Sequence, residues 1–171
     1  MKTMYSYLTG TMLALAAAAG LTTCALSRTV RDEQASAVRQ QIESRRYKIS
    51  VNRMLPGRGA SQYLSSSYSL TVKGDTIISY LPFIGQAYSL PYGGGKGLNF
   101  ESTITVYAVT FNARGTAQIS LQTRSENDVL RYHIEIFDNG TSSIRVTSNN
   151  RQSISFYGRL EKEMPPGAIS I

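Results

Sequence analysis

Between Tyr107 and Phe156 the chain holds four short polar turns, and the spacing across each keeps the apolar residues of successive segments in one register. In "FNARGTA" a three-residue loop, Ala113 to Gly115, sets Val109 opposite Ile119 and Tyr107 opposite Leu121, with Gly115 where a positive φ is needed. "SEND", Ser125 to Asp128, sets Leu121 opposite Tyr132 and Ile119 opposite Ile134. "DNG", Asp138 to Gly140, sets Ile134 opposite Ile144 and Tyr132 opposite Val146. Finally "SNNRQ", Ser148 to Gln152, sets Val146 opposite Ile154 and Ile144 opposite Phe156. A one-residue slip anywhere would send a whole strand's apolar set to the other face, so the agreement of four turns confines the chain to an antiparallel meander with one buried face.

The opposite face of that meander carries Ser120, Gln122, Arg131, His133, Glu135, Arg145 and Ser155, all polar. Upstream, Tyr47, Ile49 and Val51 alternate, as do Tyr68, Leu70 and Val72, and a three-residue loop Lys73 to Asp75 would pair Leu70 with Ile78 and Tyr68 with Tyr80. The sum is a mainly β domain of about eight strands, arranged as a curved sheet, a sandwich or an up-and-down barrel. Before it, residues 28–46 ("RTVRDEQASAVRQQIESRR") combine good helix formers with Asp32 and Glu33 early and Arg45 and Arg46 late, as the helix dipole favours. Val30, Ala37, Val38 and Ile42 give this amphipathic helix a narrow apolar stripe.

The chain therefore divides into residues 1–27, a helix at 28–46, a single β domain at 47–161 and a loose tail at 162–171 that leaves the sheet at Pro165 and Pro166. Residues 1–27 have the layout of a secretory signal: Lys2, then "MLALAAAAGL", then small residues and Cys24. That apolar stretch is too short for an ordinary membrane-spanning helix. "LTTC", ending at Cys24, resembles a lipoprotein signal in which Cys24 would be lipidated and become the N-terminus. A cut after Ser27 would discard Cys24 instead. The expected location is the periplasm or the outer membrane of a Gram-negative bacterium, with membrane attachment only through a lipid on Cys24. Cys24 is the sole cysteine, so no internal disulfide forms.

The formal charge is +7, one unit of it from Lys2, with Arg and Lys dispersed rather than gathered in one run. So dispersed, the charge reads first as a basic solubilising surface; in an exported protein the partners it would meet are anionic envelope surfaces or acidic glycans and not nucleic acid. The carboxylates Asp75, Glu101, Glu126, Asp128, Glu135 and Asp138 are scattered over turns without zinc or calcium spacing, and no cofactor motif is present. "GGGKG", Gly93 to Gly97, lacks the spacing and the following Ser or Thr of a phosphate-binding loop.

The segment 82–97 around it ("PFIGQAYSLPYGGGKG") is too apolar and aromatic for a solvated loop. It packs on the sheet, closes one end of a barrel, or presents rings to a ligand or partner. Phe83, Tyr88, Tyr92 and Lys96 are its candidate binding residues, joined by Asn149, Asn150 and Arg151 of the "SNNRQ" turn. Arg151 could equally serve a structural ion pair. His133, the sole histidine, is with Glu135 and Arg151 all that the sequence offers an enzyme.

Residues 72–100 ("VKGDTIISYLPFIGQAYSLPYGGGKGLNF") and 137–160 ("FDNGTSSIRVTSNNRQSISFYGRL") are similar to the exported Bacteroidetes-type family catalogued as domain of unknown function 4251. The resemblance, over about Ser44 to Glu161, implies a small secreted or lipid-anchored β protein and carries no catalytic residues over to this chain. The expectation is a non-enzymatic envelope protein that binds a small apolar ligand or an envelope protein through 82–97 and the "SNNRQ" turn. A hydrolase-like enzyme and a purely structural module are the alternatives.

Overall fold

The computed structural model describes residues 30–84, 98–125 and 128–162. Two units divide the chain, Met1–Gln34 and Ala35–Ile171, and all the strands belong to the second. A helix, α1 (residues 30–43), precedes eight strands: β1 (Arg46–Pro56), β2 (Gln62–Lys73), β3 (Thr76–Leu81), β4 (Leu98–Phe111), β5 (Ala117–Ser125), β6 (Asp128–Ile136), β7 (Thr141–Ser148) and β8 (Ile154–Leu160). Each strand pairs antiparallel with the next, and β1 pairs with β8, so the meander closes into a barrel. Closure resolves the choice among curved sheet, sandwich and barrel, and it satisfies the backbone groups that an open sheet would leave along its two edges.

The registers of the four downstream hairpins are those the turns imply: Val109 faces Ile119, Ile119 faces Ile134, Ile134 faces Ile144 and Ile144 faces Phe156. Gly115 and Gly140 hold φ values of 79° and 78° and close matching loops, in which Asn112 N–H donates to Thr116 O and Phe137 N–H to Thr141 O. The β2–β3 hairpin differs from expectation by one residue. Lys73 pairs with Thr76, leaving a two-residue turn, and Leu70 faces Ser79 instead of Ile78. Gly74, at φ 61°, takes the first central position, where the tight turns that match strand twist favour glycine. Ile77, Ser79 and Leu81 consequently point inward, and Tyr80 points out, stacked 5.3 Å from Tyr68.

Inside the barrel Tyr47, Ile49, Met54, Leu70, Ile77, Leu81, Leu98, Ile119, Tyr132, Ile134 and Phe156 are fully buried and form one core. Eight strands enclose a space of the width that side chains can occupy, and buried side chains from all eight meet in it. Apolar residues inside and polar residues outside reverse the pattern of a membrane-spanning barrel.

Two irregularities shape the wall. β4 shifts register between Ile104 and Val106, so its first half pairs with β3 and its second with β5. Between Val51 and Arg53 the pairing of β1 also shifts: against β8 the extra residue is Asn52 on β1, whereas against β2 the extra residues are on β2, Val51 pairing with Tyr68 and Arg53 with Tyr63. A Cβ on Gly158 there would lie 2.1 Å from Ser50 O. Only glycine allows that approach, so Gly158 sets how tightly the closing seam can be drawn.

The helix ends at residue 43, short of the 46 expected, and its buried face is narrower. Val38 and Ile42 join the barrel core, whereas Ala37 is exposed and Val30 is 62% exposed. Arg39 lies 4.4 Å from the centroid of the Phe111 ring at the end of β4, so α1 covers the end of the barrel at which β1 begins. The helix stops where Arg45 adopts a left-handed φ of 52°, and the Arg45 carbonyl accepts the Gly74 N–H.

Candidate functional site

The end of the barrel opposite α1 gathers the tips β1–β2, β3–β4, β5–β6 and β7–β8. Leu81 pairs with Leu98, so the segment 82–97 leaves and rejoins the barrel at one rung. Tyr88, Tyr92 and Lys96 lie outside the described residues. Phe83, the fourth candidate of that segment, is half-buried and packed against the core. The Arg151 guanidinium sits 5.6 Å from its ring centroid, so the structure does bring these two predicted residues together.

Their partner is a carboxylate that the sequence did not single out for binding. Asp128 is buried at the start of β6, where its Oδ2 accepts the Ser148 hydroxyl at 2.6 Å and faces Arg151 Nε at 3.5 Å. Both side chains of the pair are largely shielded from water, at 13% and 8% exposure. Asn149 Oδ1 accepts a hydrogen bond from Arg131, and Asn150 N–H donates to the Ser148 hydroxyl, which shapes the turn. Of the two roles open to Arg151, the structural ion pair is the one realised, and the "SNNRQ" turn is built inward around it.

His133 lies on the outer wall, exposed, its Nδ1 3.3 Å from the Ser120 hydroxyl. The two are simply opposite each other in the β5–β6 register. The pocket of about 110 Å³ beside them is lined by Val106, Gln122, Arg131 and Tyr132 among others. Glu135 is one outward position further along the strand, and Arg151 is buried at the barrel end, so the three enzymatic candidates do not converge. Among the described residues no cluster of His, Cys, Asp or Glu could hold a metal ion. No helix among them is long and apolar enough to cross a membrane.

The larger feature is a lateral groove of about 550 Å³ on the outside of the closing seam. Its lining includes Asn52, Arg53, Tyr63, Glu135, Phe137 and Tyr157. The registers explain why these residues meet. Tyr63 pairs with Arg53, Arg53 with Tyr157, Tyr157 with Ser143 and Ser143 with Glu135, which makes one row of outward side chains across β2, β1, β8, β7 and β6. With strands about 4.8 Å apart the row is about 19 Å long. Arg53 stacks over the Tyr157 ring at 4.6 Å, which fixes both groups, while Tyr63 stands 84% and Phe137 40% exposed beside them. Single exposed rings are ordinary; what is informative here is that Tyr63, Tyr157 and Phe137 lie together along one groove. The groove floor at Gly158 carries no side chain.

Sequence reasoning missed this row because it crosses the β1–β8 seam and the β1 bulge, neither of which a local turn reveals. The available signal was the outward parity of Tyr157 between Phe156 and Leu160, whose apolar alternation was legible.

The fold and its surface define a small, closed, up-and-down β-barrel with a filled interior, a helix over one end and an aromatic groove along its seam. The chain belongs to the family described as domain of unknown function DUF4251, whose model matches residues 30–160. Its fold is shared by a crystal structure of a DUF4251 family protein from Bacteroides eggerthii DSM 20697, with a TM-score of 0.60 and 14% identity. That match covers 74% of this chain and 86% of the other. Comparison with curated proteins gives no match.

Proposed function

We propose that the protein is an exported binding domain of the cell envelope that recognises its ligand on the outside of the barrel, along the seam groove. The observation that carries this reading is the row Tyr63, Arg53, Tyr157, in which a ring and a cation are locked together beside a second, almost fully exposed ring. A core packed with Tyr47, Tyr132 and Phe156 favours surface recognition over carriage of a small apolar ligand inside. The signal-like residues 1–27 support export, and Cys24 supplies a point for a lipid anchor. Phe83, with Arg151 of the "SNNRQ" turn beside it, marks a second contact surface at the barrel end.

Co-sedimentation with purified envelope fragments tests the reading. The wild-type chain is expected to sediment with them, and the Tyr63→Ala/Tyr157→Ala variant, both rings lying outside the core, is expected to remain folded in solution and unbound. Equal sedimentation of the two, or none by the wild type, overturns it.

A further inference from the structure

The groove's chemistry narrows the class of ligand, on the assumption that the groove is where the protein binds. A closed barrel offers no unpaired strand edge along β6, β7, β8 and β1, since each is hydrogen-bonded on both sides. Addition of a peptide strand, the commonest way a β protein captures an extended polypeptide, is therefore not available on this wall. What the wall presents is aromatic and polar side chains in alternation, Tyr63, Arg53, Tyr157, Ser143 and Glu135, with Asn52, Thr141 and Phe137 beside them and one face of Tyr157 covered by the Arg53 guanidinium.

That alternation suits a pyranose chain. A sugar ring has an apolar face of C–H bonds that lies against an aromatic ring and a rim of hydroxyls that needs donors and acceptors within the same few ångströms. Tyr63 and Tyr157 are two strand spacings apart, ~9.6 Å, close to the length of a disaccharide unit in an extended polysaccharide. Since strands rather than loops carry both residues, their backbone spacing is set before the ligand arrives, which lowers the ordering cost of binding.

The charge of the wall selects further. The row Thr141, Arg159, Ser50 flanks one side of the groove and the row His133, Arg145, Ser155 the other. Arg159 and Arg145 are both exposed. Together with Arg53 they oppose the carboxylate of Glu135 and that of Glu161, which accepts the Ser50 hydroxyl and is already paired with Lys48, giving a local excess of positive charge in a chain that is +7 overall. Arginine forks match carboxylates in two-point geometry, and they stack on rings as Arg53 already does on Tyr157.

We propose that the seam groove is a subsite for an extended acidic polysaccharide, its sugar rings lying on Tyr63 and Tyr157 and its carboxylates facing Arg53, Arg145 and Arg159. Glu135 and Ser143 take the hydroxyls at the far end of the row.

The test is equilibrium binding of the purified chain to three probes: polygalacturonate, its fully methyl-esterified form and poly-L-glutamate. Polygalacturonate supplies rings and charge, the ester rings alone, and the polypeptide charge alone. The wild type is expected to prefer polygalacturonate to either control by tenfold or more. Tyr63→Ala and Tyr157→Ala should each weaken that binding about tenfold, the loss expected of one stacked ring. Arg53→Gln should weaken polygalacturonate more than the ester. Equal binding to poly-L-glutamate, untouched by loss of either ring, would reduce the surface to a simple anion exchanger and overturn the proposal. So would preference for the ester. Absence of polygalacturonate binding in a protein that still sediments with envelope fragments through Tyr63 and Tyr157 would overturn the ligand class and leave the groove as the binding face.

Discussion

Arg151 is a residue for which the sequence leaves two roles open, a binding contact and a buried structural ion pair, and the structure shows it in an ion pair. It lies amid a polar turn, where an arginine normally reaches into solvent, yet its side chain is 13% exposed and faces Asp128 and the ring of Phe83. Asp128 Oδ1 is buried with no hydrogen-bond partner among the described residues, so the carboxylate depends on Arg151 and Ser148 for its compensation. Removing the cation leaves the buried Asp128 carboxylate with the Ser148 hydroxyl as its one remaining side-chain partner among the described residues. Arg151→Ala is expected to destabilise the barrel by about 3 kcal/mol, within the range for breaking a buried ion pair from one side. Urea unfolding at neutral pH measures it, and Asp128→Asn in the same background should recover part of the loss. A cost near that of an exposed substitution, below ~0.5 kcal/mol, would place the pair in solvent instead.

At the scale of elements, what the sequence disclosed and what it withheld divide along the range of the interaction that sets each feature. The four hairpins from β4 to β8 were legible because each register is dictated by a turn of a few residues and checked by the apolar residues on either side. The β2–β3 register was misjudged because "KGDT" fits a three-residue and a two-residue turn alike. The deciding factor is that Gly74 sits first in the shorter one, with its N–H bound to Arg45 O beyond the hairpin. Closure and the groove were hidden, since both depend on β1 meeting β8 about a hundred residues later, across a bulge at Asn52. The stripe on α1 was visible, but which of its members would be buried was not, because that depends on the opening it covers. Val38 and Ile42 reach the core while Val30 and Ala37 do not. The helix is therefore held by few side chains, and Ile42, fully buried, is the largest of them. Ile42→Ala is expected to cost about 2–5 kcal/mol by leaving a cavity under the helix. Ala37→Ser, on the exposed face, should stay within ~0.5 kcal/mol. Denaturant midpoints of the two variants decide whether α1 is part of the folding unit or an appendage, for which equal values would speak.

The molecule as a whole has no cysteine in its described residues and no metal cluster among them, so its stability rests on the packed interior and on groups kept neutral there. Three of the groups are phenols. Burial raises the Tyr47 hydroxyl well above the ordinary tyrosine value, with the neighbouring Tyr107 adding to the effect. Burial likewise raises Tyr107 and, strongly, Tyr132, although the hydrogen bond from Tyr132 to Ser79 and the Arg151 charge pull the latter back somewhat. The consequence for stability follows from which state holds its protons. Below pH ~10 the phenols are protonated in both folded and unfolded chains, and their contribution is complete. Above it the unfolded chain releases protons that the folded barrel retains, so stability falls as pH rises toward the folded-state values. Each retained proton steepens the fall by up to about 1.4 kcal/mol per pH unit. Lysine side chains titrate in the same window, so the comparison must be between variants and not between pH values alone. Tyr132→Phe removes one phenol while keeping the ring. It is expected to cost about 1 kcal/mol at pH 8, the scale of one lost hydrogen bond, and to flatten the decline between pH 10 and 11. Urea midpoints of wild type and variant across that range make the measurement. Parallel curves would mean that Tyr132 ionises in the barrel as readily as in the unfolded chain, which a hydroxyl sealed within a filled interior should not do.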